Sequence, residues 1–226
     1  MSSEPIINRI ETLVHPDYRN LVFLRIHSSD GHIGLGETSF APGAVVSMIH
    51  DDVASYLLGA DPMQRDLHWS TIAGRRLHAR SVNTDIRVIS AVDMALWDLY
   101  ARRTKMPLYQ VLGGLSRERI KVYNTCAGYS YGVNRRGPTA PGNLDHRPDQ
   151  PYEDQHAFLT DAGALAKELL SSGISAMKIW PFDQFAAKTG GQSISQEDLE
   201  TGVEPFRKIR EQVGDQMEMM VEMHSL

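Results

Sequence analysis

Apolar residues along this chain follow two kinds of spacing, and the change between them organises the fold. Near the start they come in short runs. Pro5 to Val14 reads as a first strand, and Asn20 to His27 (NLVFLRIH), rich in β-branched and aromatic residues, as a second. Asp30-Gly31 is a hairpin signal, and His32 to Glu37 (HIGLGE) is the returning strand. Its glycines, Gly34 and Gly36, weaken it as an isolated strand and predict close backbone approach. The chain therefore opens as a three-stranded antiparallel meander. Between Gly43 and Leu58 the spacing turns helical, with Val45, Val46, Ile49, Val53, Tyr56 and Leu57 on one face. Asp61-Pro62 predicts the start of the next helix, with proline at the first helical position. Thr84 is an N-cap for a long helix from Asp85 to Lys105, striped by Ile89, Val92, Leu96, Trp97 and Tyr100. Pro107 ends it, a short helical turn follows, and Gly113-Gly114 closes the region.

From Arg119 strands and helices alternate. Ile120 to Ala127 reads as a strand, and residues 128–154 as a long loop rich in Gly, Pro, Tyr and Arg. A helix from Gln155 to Ser172 is stopped by Gly173. A second strand-like stretch, Ser175 to Asp183 (SAMKIWPFD), precedes a loop with Gly190-Gly191. Ser195 caps the helix Gln196 to Val213, with Asp198 where a capping box wants an acid. Gly214 ends that helix, and Met217 to Leu226 (MEMMVEMHSL) supplies the third strand. A βαβ crossover sets its strands parallel. The expected division is an α+β domain over 1–118 and a parallel α/β unit over 119–226.

Composition narrows the class of protein. The chain has 226 residues, 42% hydrophobic and 23% charged, as globular domains do. A net charge of −5, without a basic run, predicts neither nucleic acid nor an anionic membrane as partner. No apolar run reaches the roughly 18 residues of a membrane span. One cysteine, Cys126, and an N-terminus without a signal-peptide pattern predict a cytoplasmic protein.

The candidate chemistry sits on the last two strands. Residues i and i+2 of a strand share a face, so Glu222 and His224 should project together from its end. Lys178 and Trp180 repeat that spacing on the strand before. Charged and aromatic groups at the carboxyl ends of parallel strands predict a site there.

Several stretches also carry a family resemblance. The helix SAVDMALWDLYARRTKMPLYQVLGG (Ser90 to Gly114), the GLGETSF segment (Gly34 to Phe40), MKIWPFD and VEMHSL resemble, in this order, the mandelate racemase and muconate lactonizing enzyme branch of the enolase superfamily. The resemblance implies an α+β capping domain followed by a (β/α)8 TIM-type barrel, of which about the first three strands are present. It implies Mg2+-assisted abstraction of the proton α to a carboxylate. Glu222 stands where the family usually has an aspartate as first metal ligand. His224 stands where dehydratase-like members place a histidine that can act as acid. Lys178 matches the first lysine of a Lys-x-Lys pair, and Trp180 replaces the second, usually the catalytic one. Lys178 would then orient the substrate carboxylate or serve as base. Trp180 would line the pocket or pack the barrel. His15, Tyr18 and Phe40 fall in capping loops expected to touch substrate. The later metal carboxylates have no counterpart up to Leu226, so a longer chain or a second one is expected to supply them.

Other polar residues read as structural. Asp93 and Asp98 would tie the long helix to neighbouring backbone. His27, His32, His50, His68 and His78 would be surface or packing residues. Asp145, His146 and Asp149 fall in a Pro- and Gly-rich insertion rather than a metal site, though part of that insertion is expected to reach the substrate. Cys126, with no partner histidine or CxxC spacing, would be inert. The expected function is a sugar-acid dehydratase or cycloisomerase acting on a small molecule, as a homo-oligomer. The alternatives are a racemase or epimerase, and a catalytically inert homologue or half-barrel scaffold. Loss of metal binding would mark the last.

Overall fold

The residues that alternate at the start of the chain pair as β1 (Ile7–Leu13), β2 (Leu21–Ser28) and β3 (Ile33–Ser39), an antiparallel meander in that order. The computed structural model describes residues 4–16, 18–76, 84–128 and 153–224. His78 and the cluster Asp145, His146 and Asp149 lie outside the described residues, as does most of the loop read over 128–154. The chain divides into two units, Met1–Glu118 and Arg119–Leu226.

In the first unit, a helical run follows the meander as α1 (Pro42–Ser47), a π-helical stretch (Met48–Val53) and α2 (Ala54–Leu57). Its stripe is buried as expected at Val45, Ile49, Val53 and Leu57. The next helix, α3 (Arg65–Thr71), begins later than Pro62. Asp61 explains the delay: its carboxylate accepts the Met63 N–H at 2.8 Å and its carbonyl accepts from Gln64, which makes a turn and postpones the helix. The long helix α4 (Thr84–Thr104) crosses the sheet, burying Val88, Val92, Leu96 and Leu99 against Val22, Leu24 and Ile26. Trp97 and Tyr100 are only half-buried, and the Arg65 guanidinium lies 3.6 and 4.1 Å from their ring centres. Asp98 accepts the Leu35 N–H of β3 at 2.8 Å, which ties helix to sheet as read from the sequence.

Gly34 and Gly36 let α4 come this close. A Cβ on Gly34 would stand 1.9 Å from the Ala95 carbonyl oxygen, and one on Gly36 would stand 2.1 Å from that of Ala91. These are backbone atoms that cannot swing aside. A short helix, α5 (Leu108–Val111), follows Pro107.

In the second unit α6 (Asp154–Ser171) and α8 (Gln196–Val213) pack beside two parallel strands, β4 (Ala176–Ile179) and β5 (Glu218–Val221). Ser195 caps α8 by accepting the Asp198 N–H. Phe158, Leu165, Met177, Ile179, Ile209 and Met217 form the core. Two expectations need correction. The stretch Ile120 to Ala127 is not a full strand: only Asn124 bridges to β4, through hydrogen bonds with Ala176 and Lys178. Cys126 has φ 48°, which ends extended backbone there, and Ile120 and Val122 are exposed. Among the described residues the parallel sheet thus holds two strands and a bridge rather than three strands. The strand-like stretch read to Asp183 ends at Ile179, and the loop read after it contains a helix, α7 (Asp183–Thr189), ended by Gly190 at φ 65°. Pro181 before it and the glycine pair after it hid a segment of two turns.

Replacing Gly34 with alanine should lower stability by about 2–3 kcal/mol, from overpacking against backbone. Gly43 has open space around it, and Gly43→Ala should be neutral or stabilising by up to about 1 kcal/mol. Urea unfolding of the two variants reads the contrast.

Candidate active site

The site is built where β4 and β5 end. Their register sets Lys178 beside Met220 and Ile179 beside Val221. Glu222 then lies two residues past Met220, on the same side of the sheet as Lys178. The Lys178 ammonium donates to Glu222 Oε2 at 3.0 Å and stands 5.4 Å from the centre of the Tyr123 ring. The other carboxylate oxygen, Oε1, accepts the backbone N–H groups of Met223 and His224, each at 3.2 Å.

His224 reaches the same place by a different route from the one read in the sequence. The strand stops at Val221, and His224 takes φ 43°. Glu222 folds the chain back by accepting from its own successors, so a turn, not strand alternation, brings the imidazole in. Its Nδ1 lies 2.6 Å from Asp183 Oδ2. Trp180 is buried, its indole N–H donating to the Cys126 carbonyl at 3.3 Å and its ring 4.8 Å from that of His224. It therefore packs the core and forms a wall beside His224 at once.

Four of the sequence-selected residues, Lys178, Trp180, Glu222 and His224, thus meet. The other three belong to the first unit. His15 and Tyr18 make a tilted ring contact at 5.4 Å. Phe40 has φ 70° and lies under the Arg87 guanidinium at 4.5 Å, while Arg87 also donates to the Ser39 carbonyl at 2.7 Å. Asp183 was missed: it ends the SAMKIWPFD stretch, and nothing in its spacing to His224 marks two residues far apart in sequence as partners.

Electrostatics separate these groups. The hydrogen bond to Glu222 raises the Lys178 pKa, and its counterpart from Lys178, with the His224 N–H behind it, lowers that of Glu222. A lysine held charged in this way suits orienting an anion better than removing a proton. Burial raises the Asp183 carboxyl, the His224 imidazole opposes that rise, and the Glu222 charge adds to it. Cys126 is buried and its thiol is pushed up to about 12, first by burial and then by the Asp154 charge, which fits an inert thiol. Beside the cluster lies a pocket of about 230 Å³ walled by Phe182, Phe185, Ile194 and Met223.

Magnesium wants about six oxygen ligands in near-octahedral array. Among the described residues no group of three or more His, Cys, Asp or Glu is arranged to hold a metal ion. Glu222 offers one carboxylate, with both oxygens already engaged. The described residues alone therefore do not fit a complete magnesium centre.

Residues 5–113 match the family described as mandelate racemase / muconate lactonizing enzyme, N-terminal domain. A "D-galactonate dehydratase family member RspA" from Halomonas elongata is 39% identical over 124 residues, 54% of this chain and 30% of that protein. A "D-gluconate dehydratase" from Thermoproteus tenax is 29% identical over 205 residues, 90% of this chain and 35% of that protein. The crystal structure of an enolase protein from Sargasso Sea environmental sequencing superposes with a TM-score of 0.79 at 37% identity, over 98% of this chain and 52% of its own. The chain spans about half the length of that structure and smaller shares of the two curated relatives.

The Lys178–Glu222 pair has a defined pH window. Glu222, with its carboxyl lowered, contributes stability above its unfolded value, and that contribution is lost as pH falls through the folded one. Lys178, raised, contributes below its unfolded value and loses that contribution at higher pH. Lys178→Met should therefore lower the melting temperature at neutral pH. The gap from the unsubstituted protein should close as pH falls through the lowered Glu222 range, below that of an ordinary glutamate. A gap unchanged at low pH would mean that packing of the lysine stem, not the ion pair, is being measured.

Proposed function

Since the chain belongs to the mandelate racemase/muconate lactonizing enzyme branch of the enolase superfamily, we propose that it carries part of the active site of an acid-sugar dehydratase. In this reading the parallel strands β4 and β5 open a (β/α)8 barrel, and residues 5–113 form its capping domain. Substrates are sugar acids of the aldonate class, as the names of the galactonate and gluconate relatives suggest. The observation that carries the reading is the imidazole of His224 held beside the Lys178–Glu222 pair at the carboxyl ends of the strands.

The chemistry follows from the groups. A proton α to a carboxylate is weakly acidic, and its removal puts charge on the carboxylate oxygens. Glu222 would be one carboxylate ligand of a magnesium ion whose other ligands are not among the described residues, and such an ion would supply Lewis-acid stabilisation of that charge. Lys178 adds a fixed positive charge that orients the substrate carboxylate. A base outside the described residues takes the α proton. The C–H electron pair then forms the C=C bond as the β C–O bond breaks toward oxygen. His224, protonated, gives its proton to that oxygen, and water leaves. The remaining enol becomes a 2-keto acid. Trp180 stands where a second base would be needed to exchange the α proton from either face. Its indole is no base, which favours elimination over racemisation.

Glu222→Gln should abolish magnesium-dependent formation of 2-keto acid from a panel of aldonates in the complete protein. Undiminished turnover would overturn the assignment. His224→Asn should keep exchange of the α proton with solvent deuterium while loss of the β-hydroxyl stops. Loss of exchange as well would make His224 the base, or a binding group.

A further inference from the structure

We propose that Asp183 is the positioning residue for His224, holding the ring in one tautomer and one orientation, with Nδ1–H turned to the carboxylate and Nε2 left for the substrate. The inference deepens the dehydratase reading and rests on it for the role of Nε2, but the geometry stands without that reading.

Three contacts define the ring. Asp183 Oδ2 lies 2.6 Å from Nδ1. The His224 backbone N–H is held by Glu222 Oε1 at 3.2 Å. The Trp180 ring covers one side, its centre 4.8 Å from that of the imidazole. An ionised carboxylate only accepts, so Nδ1 must carry the hydrogen. The second Asp183 oxygen, Oδ1, is sealed from solvent and has no hydrogen-bond partner among the described residues. The hydrogen-bonding capacity of the carboxylate is therefore spent on His224. A half-buried acid kept with one oxygen idle costs stability unless its charge is used. Its placement after Pro181, at the first residue of α7, fixes it relative to the end of β4.

The test reads the tautomer directly. Long-range proton–nitrogen correlation spectra of the unsubstituted chain, in mildly alkaline buffer, should show His224 as the Nδ1–H form. Asp183→Ala should shift it toward the Nε2–H form that free imidazole prefers. Asp183→Asn should restore the Nδ1–H form, because its side-chain carbonyl still accepts. An Nε2–H ring in the unsubstituted protein, or no change in Asp183→Ala, overturns the proposal. Folding of Asp183→Ala is not essential, since the unsubstituted spectrum already decides between the tautomers. In the complete protein, Asp183→Ala should lower kcat by about 10- to 100-fold with KM little changed, and Asp183→Asn should recover part of it. Failure of the dehydratase reading looks different: no aldonate turns over in the unsubstituted protein, while the tautomer result is untouched.

Discussion

The register of β4 against β5 is the constraint on which the candidate site depends. Four residue pairs, from Ala176–Glu218 to Ile179–Val221, set two strands from distant parts of the chain in parallel. A slip by one residue would turn Lys178 and Glu222 to opposite faces and break their ion pair. The register is enforced from below, where Met177, Ile179 and Met217 are buried against α6 and α8. Core packing thus fixes which polar groups meet at the strand ends. The βαβ unit by itself brings Lys178, Glu222 and His224 together.

Within the site each group constrains the next. Glu222 is shared between the Lys178 ammonium and two backbone N–H groups, and the turn those N–H groups close carries His224 toward Asp183 and Trp180. One ammonium group, two carboxyl groups and an imidazole lie within one small network.

Much of this was legible from local pattern. The meander, the long helix, the two glycines of close approach and the capped helix α8 all follow from signals within a few residues: alternation, a Ser cap, a stopping Gly. The helical run from Pro42 kept its buried stripe although a π-helical stretch interrupts it. What escaped depends on distance or on a single side chain. Asp61 delays α3 through one carboxylate hydrogen bond, which residue type alone does not announce. The strand read at Ile120 pairs only at Asn124, because pairing depends on a neighbour and not on β propensity. The joint presence of Lys178 and Glu222 was visible in the spacing of each strand. The Asp183–His224 bond was not, since it links residues 41 apart through a turn.

The two glycines of β3 have a mechanical consequence. Without side chains there, α4 and β3 touch backbone to backbone, leaving no compressible layer between them. The same helix sends Arg87 to the Ser39 carbonyl and over the Phe40 ring, just where β3 ends. Helix, strand and the segment around Phe40 are therefore linked by direct contacts. The long helix thus holds the end of β3 through Arg87, and the placement of Phe40 is tied to a stiff element as well as to its own loop.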